Sequence, residues 1–174
     1  SNVTHIDVGA FSNCTSLDNI TLPISLDILG YEAFFGCTSL ARITIPEGVS
    51  FIGGRAFLGC ESLTAINVAE SNAHFSSSRG VLFNKDQSIL ISYPPGISGS
   101  YTIPNGVVSI GDLAFSGRHR LTSITIPRSV ESLMSYTFGG CSNLKEAYFL
   151  GDVPSDFGGS DVFIGVAEDF KIYY

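Results

Sequence analysis

The chain has 174 residues and a formal net charge of −7, with 44% hydrophobic but only 14% charged residues. That composition excludes a disordered segment, and the acidic balance argues against nucleic acid or an anionic membrane as main partner, since both select basic patches. No apolar run approaches the roughly 20 residues of a membrane-spanning helix, and no secretory leader is legible.

The chain is periodic from its start. Phe11-x-x-Cys14-x-x-Leu17 is followed by Phe34-x-x-Cys37-x-x-Leu40 and Phe57-x-x-Cys60-x-x-Leu63, each step being 23 residues. A fixed period of this size is the mark of stacked coils, each of which buries its apolar side only against its neighbours. Positions are counted here from each Phe. In the first coil Ile20 and Leu22 alternate at +9 and +11, which predicts a short strand, and Pro23 at +12 ends it because proline brings no N–H to a ladder. Leu26 (+15) and Leu29 (+18) complete the inward set. The second coil repeats this with Ile43, Ile45, Pro46, Val49 and Ile52, and the third begins with Ile66 and Val68. Spacings of three at +0, +3 and +6 suit tight turns in which i and i+3 eclipse.

The register then breaks. Phe57 to Phe115 is 58 residues, one coil of 23 and one of 35, so 12 residues are inserted. The insertion falls within 69–100, and Val81–Phe83 and Ser88–Tyr93 around the polar Asn84–Gln87 read as a hairpin. Counting back from Phe115 gives a fourth coil that starts at Ser92 in place of Phe, with Tyr101 and Ile103 at +9 and +11. Phe115 carries Ile124, Ile126, Pro127, Val130 and Leu133; Phe138 carries Ala147, Phe149 and Val153. Phe163 starts a last coil whose Ile172 and Tyr174 are expected inward. The reading is therefore a solenoid of about seven coils with seven parallel strands. Each coil has about seven inward apolar residues, at roughly 1.5–3 kcal/mol apiece, which offsets chain ordering only in a stack. The chain opens inside one coil and stops in a strand, so it is expected to be part of a longer protein, with 1–174 as one domain.

The motif Leu-x-x-Ile-x-Ile-Pro-x-x-Val-x-x-Ile-Gly-x-x-Ala-Phe-x-x-Cys, best seen from Leu40 to Cys60, resembles the BspA-like (Treponema-type) leucine-rich repeats. Gly80-Val-Leu-Phe-Asn-Lys with Tyr93-Pro94-Pro95 is similar to a further segment of that family. The resemblance implies a right-handed leucine-rich repeat coil with a parallel β-sheet on one face and one hairpin insertion. It also implies a bacterial protein, secreted or at the cell surface, engaged in adhesion to host or extracellular matrix proteins. Ser25, Gly48 and Ser129 stand at +14, where leucine-rich repeats commonly have Asn or Cys, so no asparagine ladder is expected.

Cys14, Cys37, Cys60 and Cys141 contain no Cys-x-x-Cys pair, and stacked coils give them parallel Cβ vectors unsuited to disulfides. They read as free cysteines in an interior ladder. Arg118 replaces this cysteine in one coil, which is expected to open there. With Arg120, His119 and Arg128 it makes a small basic spot. His5, His74 and His119 belong to no nucleophile motif, the glycines follow turns rather than a phosphate loop, and the acidic residues from Asp152 to Asp169 lack calcium-loop spacing. No catalytic residue, metal site or cofactor is expected. Asn2, Asn13 and Asn19 each precede x-Thr, which matters only in a glycosylating host.

What remains is the outward side of the strands. Column +8 holds Asn19, Arg42, Ala65, Ser100, Ser123, Glu146 and Lys171; column +10 holds Thr21, Thr44, Asn67, Thr102, Thr125, Tyr148 and Tyr173. The candidate ligand-binding residues are Asn19, Thr21, Arg42, Thr44, Asn67, Glu146, Tyr148, Lys171 and Tyr173. The threonines also satisfy plain strand propensity, while exposed Tyr is a frequent hot-spot type. Two other functions compete with protein binding by a monomer: a structural spacer, favoured by the bland Thr and Ser columns, and a carbohydrate-binding surface, disfavoured by the absence of Trp.

Overall fold

The computed structural model describes residues 2–154 and 156–174. Two compact units divide the chain, one of residues 1–86 with 93–96, the other of residues 87–92 with 97–174. In the first unit the strands are β1 (His5–Ile6), β2 (Ile28–Leu29), β3 (Arg42–Ile45), β4 (Phe51–Ile52), β5 (Ala65–Val68), β6 (Phe75–Ser78) and β7 (Val81–Asn84). β1, β2 and β4 form one parallel ladder, and β3 and β5 form another, with Ile43 opposite Ile66 and Ile45 opposite Val68.

The second unit holds β8 (Ile89–Ser92), β9 (Gly99–Thr102), β10 (Ser109–Ile110), β11 (Leu121–Ile126), β12 (Ser132–Leu133), β13 (Glu146–Phe149), β14 (Asp156–Phe157), a 3-10 turn at Ser160–Phe163 and β15 (Lys171–Tyr173). β8, β10, β12 and β14 pair in parallel, as do β9, β11, β13 and β15. The fold is thus a β-solenoid of about seven turns with almost no helix.

Each coil is organised around its Phe. The N–H of Phe11 donates to Ala33 O at 2.8 Å and that of Phe34 to Ala56 O at 3.0 Å; Phe115 and Phe138 do the same to Thr137 and Val162 at 2.9 Å. The rings stack in consequence, at 5.2 Å for Phe11–Phe34, 6.1 Å for Phe34–Phe57, 4.9 Å for Phe115–Phe138 and 5.1 Å for Phe138–Phe163. Those separations lie in the favourable range for aromatic pairs. Two left-handed residues bracket most of these rings. Position +2 is left-handed in Gly59 (φ 76°) and Gly140 (φ 72°), and position −2 in Glu32, Arg55, Leu113 and Tyr136 (φ 55° to 60°). The second set is held there by the stack, since side-chain residues disfavour that region.

The structure departs from the sequence reading in several places. Residues 19–22 of the first coil form no strand, so among the described residues six strands stand where seven were expected. Asp18 and Asn19 are poor strand formers, whereas Ile43-Thr44-Ile45 is an unbroken run of β-branched residues. A strand hidden in the sequence, β6, pairs antiparallel with β7 through a turn at Arg79-Gly80 with φ of 51° and 80°. Ser76–Ser78 gives no apolar signal there. Ile172 stands opposite buried Ala147, and Tyr174 stacks on Phe149 at 5.7 Å, so both keep the inward column, yet they are 36% and 78% exposed because no described coil covers β15. Val153 is exposed as well.

Buried Asn72 ties the insertion to the second coil of the first unit. Its amide donates to Pro46 O (2.8 Å) and Val49 O (2.9 Å), and its Oδ1 accepts from the His74 and Phe75 N–H groups, both at 2.8 Å. All four positions of the side-chain amide are satisfied, as a buried polar group requires.

Candidate functional site

Outward strand positions of the first unit stand as the spacing implies. Arg42 lies opposite Ala65 and Thr44 opposite Asn67, and Arg42, Thr44 and Asn67 are exposed. Asn19 and Thr21 are exposed too, on a segment that has left the ladder. Among the described residues one backbone bond joins that stretch to the next coil, Ala41 N–H to Asp18 O at 3.4 Å. A cleft of about 500 Å³ opens beside it, lined by Asn19, Ile20, Thr21, Arg42, Thr44 and Glu47 among others. Asn67 lies outside this cleft.

Two lining residues escaped the sequence reading. Ile24 is 78% exposed at the cleft. Its position, +13, holds Glu47 and Arg128 in other coils, so an apolar residue in a polar column was the available signal. Glu47 accepts from the Ser71 hydroxyl at 2.7 Å. Arg42 has no ion pair among the described residues, where the salt bridges are Arg55–Glu32 and Lys145–Asp169.

In the second unit the columns are unbroken. Ser123, Glu146 and Lys171 stand in one register row, and Thr125, Tyr148 and Tyr173 in the next. Tyr148 and Tyr173 stack at 4.8 Å with ring planes 12° apart. The hydrogen bond between Tyr148 and Glu146 raises the Tyr148 pKa above its ordinary value near 10, because it favours the protonated phenol. A second cleft of about 270 Å³ is lined by Lys145, Glu146, Asp169, Lys171 and Tyr173 with Thr122 and Ser123. Lys145 and Asp169 pair there at 3.3 Å with both side chains exposed, an interaction worth at most about 1 kcal/mol. Sequence reading missed this pair; Asp169 at +6, where other coils carry Leu, was its signal.

The cysteines carry no chemistry. All four are free. Cys37, Cys60 and Cys141 are buried, and their thiols donate to the carbonyls of Phe11, Phe34 and Phe115 at 2.9–3.0 Å. Burial raises the Cys37 thiol and pushes Cys141 up to about 11, so neither is a thiolate at neutral pH. Cys14 corrects the expected ladder: it is exposed. Arg118 corrects it further. The coil stays closed, with Arg118 N–H to Phe115 O at 3.2 Å as in the cysteine coils, and the side chain is only 2% exposed. Its guanidinium donates to Ser116 O at 2.6 Å, so the basic spot keeps only His119, Arg120 and Arg128 at the surface. Among the described residues no group of three His, Cys, Asp or Glu side chains could hold a metal, and no helix is long and apolar enough to cross a membrane.

Comparison with known proteins bears on this geometry. Residues 1–89 and 98–157 match the BspA type leucine rich repeat region, in six copies. A leucine rich cell surface protein of Faecalibacterium prausnitzii is 34% identical over 89% of this chain, with a TM-score of 0.74, and the chain spans 40% of that protein's length. A leucine rich repeat protein of T. pallidum is 31% identical over 97% of this chain and 72% of its own, with a TM-score of 0.59. The pneumococcal vaccine antigen PcpA shares the fold, at 22% identity over 99% of this chain and 51% of its own, with a TM-score of 0.66. No curated protein matches the chain.

Proposed function

We propose a function from one premise: the chain belongs to the BspA-type leucine-rich repeat family. Our reading is a non-catalytic module, displayed outside a bacterial cell, that binds proteins of a host or its extracellular matrix through the outward strand positions. The single observation that carries it is the Tyr148–Tyr173 stack on β13 and β15. Tyr148 is held against its neighbour with ring planes 12° apart, so its ring has little rotamer freedom left to lose on binding. Aromatic anchors of this kind, flanked by charges, are what protein partners use as hot spots. Here the flanking charges are Glu146 and Lys171. The words "cell surface" in the name of the Faecalibacterium relative support the location.

The experiment is a surface-binding panel with immobilised fibronectin, laminin, collagen and a set of glycans. Binding to a matrix protein, weakened at least about tenfold by Tyr148→Ala, is the expected result. Retention of no partner at micromolar concentration would leave the spacer role, and retention of glycans alone would leave the carbohydrate role.

A further inference from the structure

The gap in the first unit's sheet face deepens the protein-binding reading and rests on it. We propose that the cleft between residues 19–24 and β3 takes an extended segment of a partner protein, which adds to the open edge of β3 as a new strand.

The opening is local. Before it, the first coil is bonded to the second by Phe11 N–H to Ala33 O (2.8 Å) and Asn13 N–H to Phe35 O (2.7 Å). After it, Ser50 N–H meets Asp27 O at 2.9 Å and Gly53 N–H meets Leu29 O at 2.7 Å. The two coils already touch at Gly48, where an added Cβ would stand 2.9 Å from Ile24 O and 2.8 Å from Leu26 O. Between these closed points, no described backbone bond joins 19–22 to 42–45.

The backbone of β3 shows which groups are left over. Ile45 O accepts from Ala69 N–H at 2.9 Å, so Ile45, and Ile43 two residues earlier, turn toward the third coil. Alternation turns Arg42 and Thr44 toward the cleft. In the second unit Thr125 occupies the same repeat position as Thr44, and its carbonyl accepts from Ile103 N–H at 3.0 Å. The corresponding bond from Leu22 to Thr44 is missing. An edge with free N–H and C=O groups is a template for another strand, and strand addition is an established mode of peptide recognition.

Side chains define the occupant further. Arg42 has no anionic partner among the described residues, and Glu47 is engaged by Ser71. Ile20 and Ile24 give the cleft an apolar wall. The segment that fits is extended, about four residues and 13 Å long opposite β3, with an acidic side chain to meet Arg42 and an apolar one to meet the isoleucines.

Proline scanning tests this directly. Thr44→Pro removes an N–H that the fold leaves unused; Thr125→Pro removes one from within a ladder. The probe is a phage-displayed library of random linear nonapeptides, selected on the immobilised chain and resynthesised. The expected results are a small shift in the denaturation midpoint for Thr44→Pro beside a large one for Thr125→Pro, and at least a tenfold loss of affinity for the selected peptide in Thr44→Pro. In the unliganded protein the Thr44 amide should exchange with solvent at least about 100-fold faster than that of Thr125. Equal destabilisation by the two prolines, failure to select any peptide, or undiminished peptide binding to Thr44→Pro overturns the proposal. So does a dimer that Thr44→Pro converts to monomer, since a second copy would then be the occupant. Matrix binding lost in Tyr148→Ala, with no selectable peptide, removes the cleft and leaves the wider reading standing.

Discussion

The same repeat builds two different sheet faces in this chain. In the first unit β3 and β5 stand as a pair with one edge open, and the preceding coil passes by without joining. In the second unit four strands, β9, β11, β13 and β15, run in register, and their outward columns end in a tyrosine stack. The 23-residue spacing is shared, and so is the Phe column. What differs is local: Asp18-Asn19 in one coil against Leu121 to Ile126, a six-residue strand, in another. A solenoid thus tolerates an open ladder on one side while its phenylalanines and thiols keep the other side closed, and openness becomes a property that single residues set.

Substitution can sharpen that contrast. The largest effect belongs to the shared element. Phe57→Ala in the first unit and Phe138→Ala in the second should each cost about 3–5 kcal/mol, as both rings are buried in a stack. Thr44→Ala, on the outward side, should cost well under about 1 kcal/mol. Equal urea midpoints for Phe57→Ala and Thr44→Ala would show the two faces to be wrongly assigned. Asn72→Ala comes next and acts on the first unit alone. It leaves Pro46 O, Val49 O and two N–H groups without their partner, and we expect about 2–4 kcal/mol by chemical denaturation.

Glycine to alanine at +2 compares the units at one position. Both residues are left-handed, so each substitution carries about 1–2 kcal/mol of backbone strain. Gly59→Ala should cost more than Gly140→Ala, because its Cβ would meet Gly36 at 3.3 Å while that of Gly140 meets Gly117 at 3.8 Å. Thermal midpoints in the reverse order would contradict this packing.

The smallest effect is electrostatic. Glu146→Gln removes the carboxylate that Tyr148 bonds, so the Tyr148 pKa should fall back toward its ordinary value, as read from ring NMR shifts or tyrosinate absorbance. The sign follows from the raised folded pKa. The stabilisation is complete below the unfolded value near 10 and disappears as pH rises through the folded one, so Glu146 supports the fold at neutral pH and that support is lost only in alkali.

Much of this was legible in the chain because the inward residues recur. Phe, Leu and the +9/+11 pairs declare their own positions, and the columns of outward residues follow by counting. The left-handed turn at −2 was not legible, since Glu32, Arg55, Leu113 and Tyr136 share no side-chain feature and take that conformation only because adjacent coils bond around them. Arg118 was misread for a related reason. A charge at a buried position suggests an opened coil, yet a guanidinium can bond carbonyls of its own turn and stay inside. The clefts were half visible: Arg42, Thr44, Glu146 and Tyr173 came from the columns, whereas Ile24, Glu47, Lys145 and Asp169 entered only through the turns that carry them.

Sequence alone determined the stacking unit, its length, its apolar lining and the absence of any recognisable catalytic motif, because burial leaves a periodic trace in residue type. Tertiary structure alone decided which ladders close, which tyrosines stack and where an edge is left free. Those outcomes depend on backbone hydrogen bonds between residues one period apart, and every residue offers the same N–H and C=O whatever its side chain.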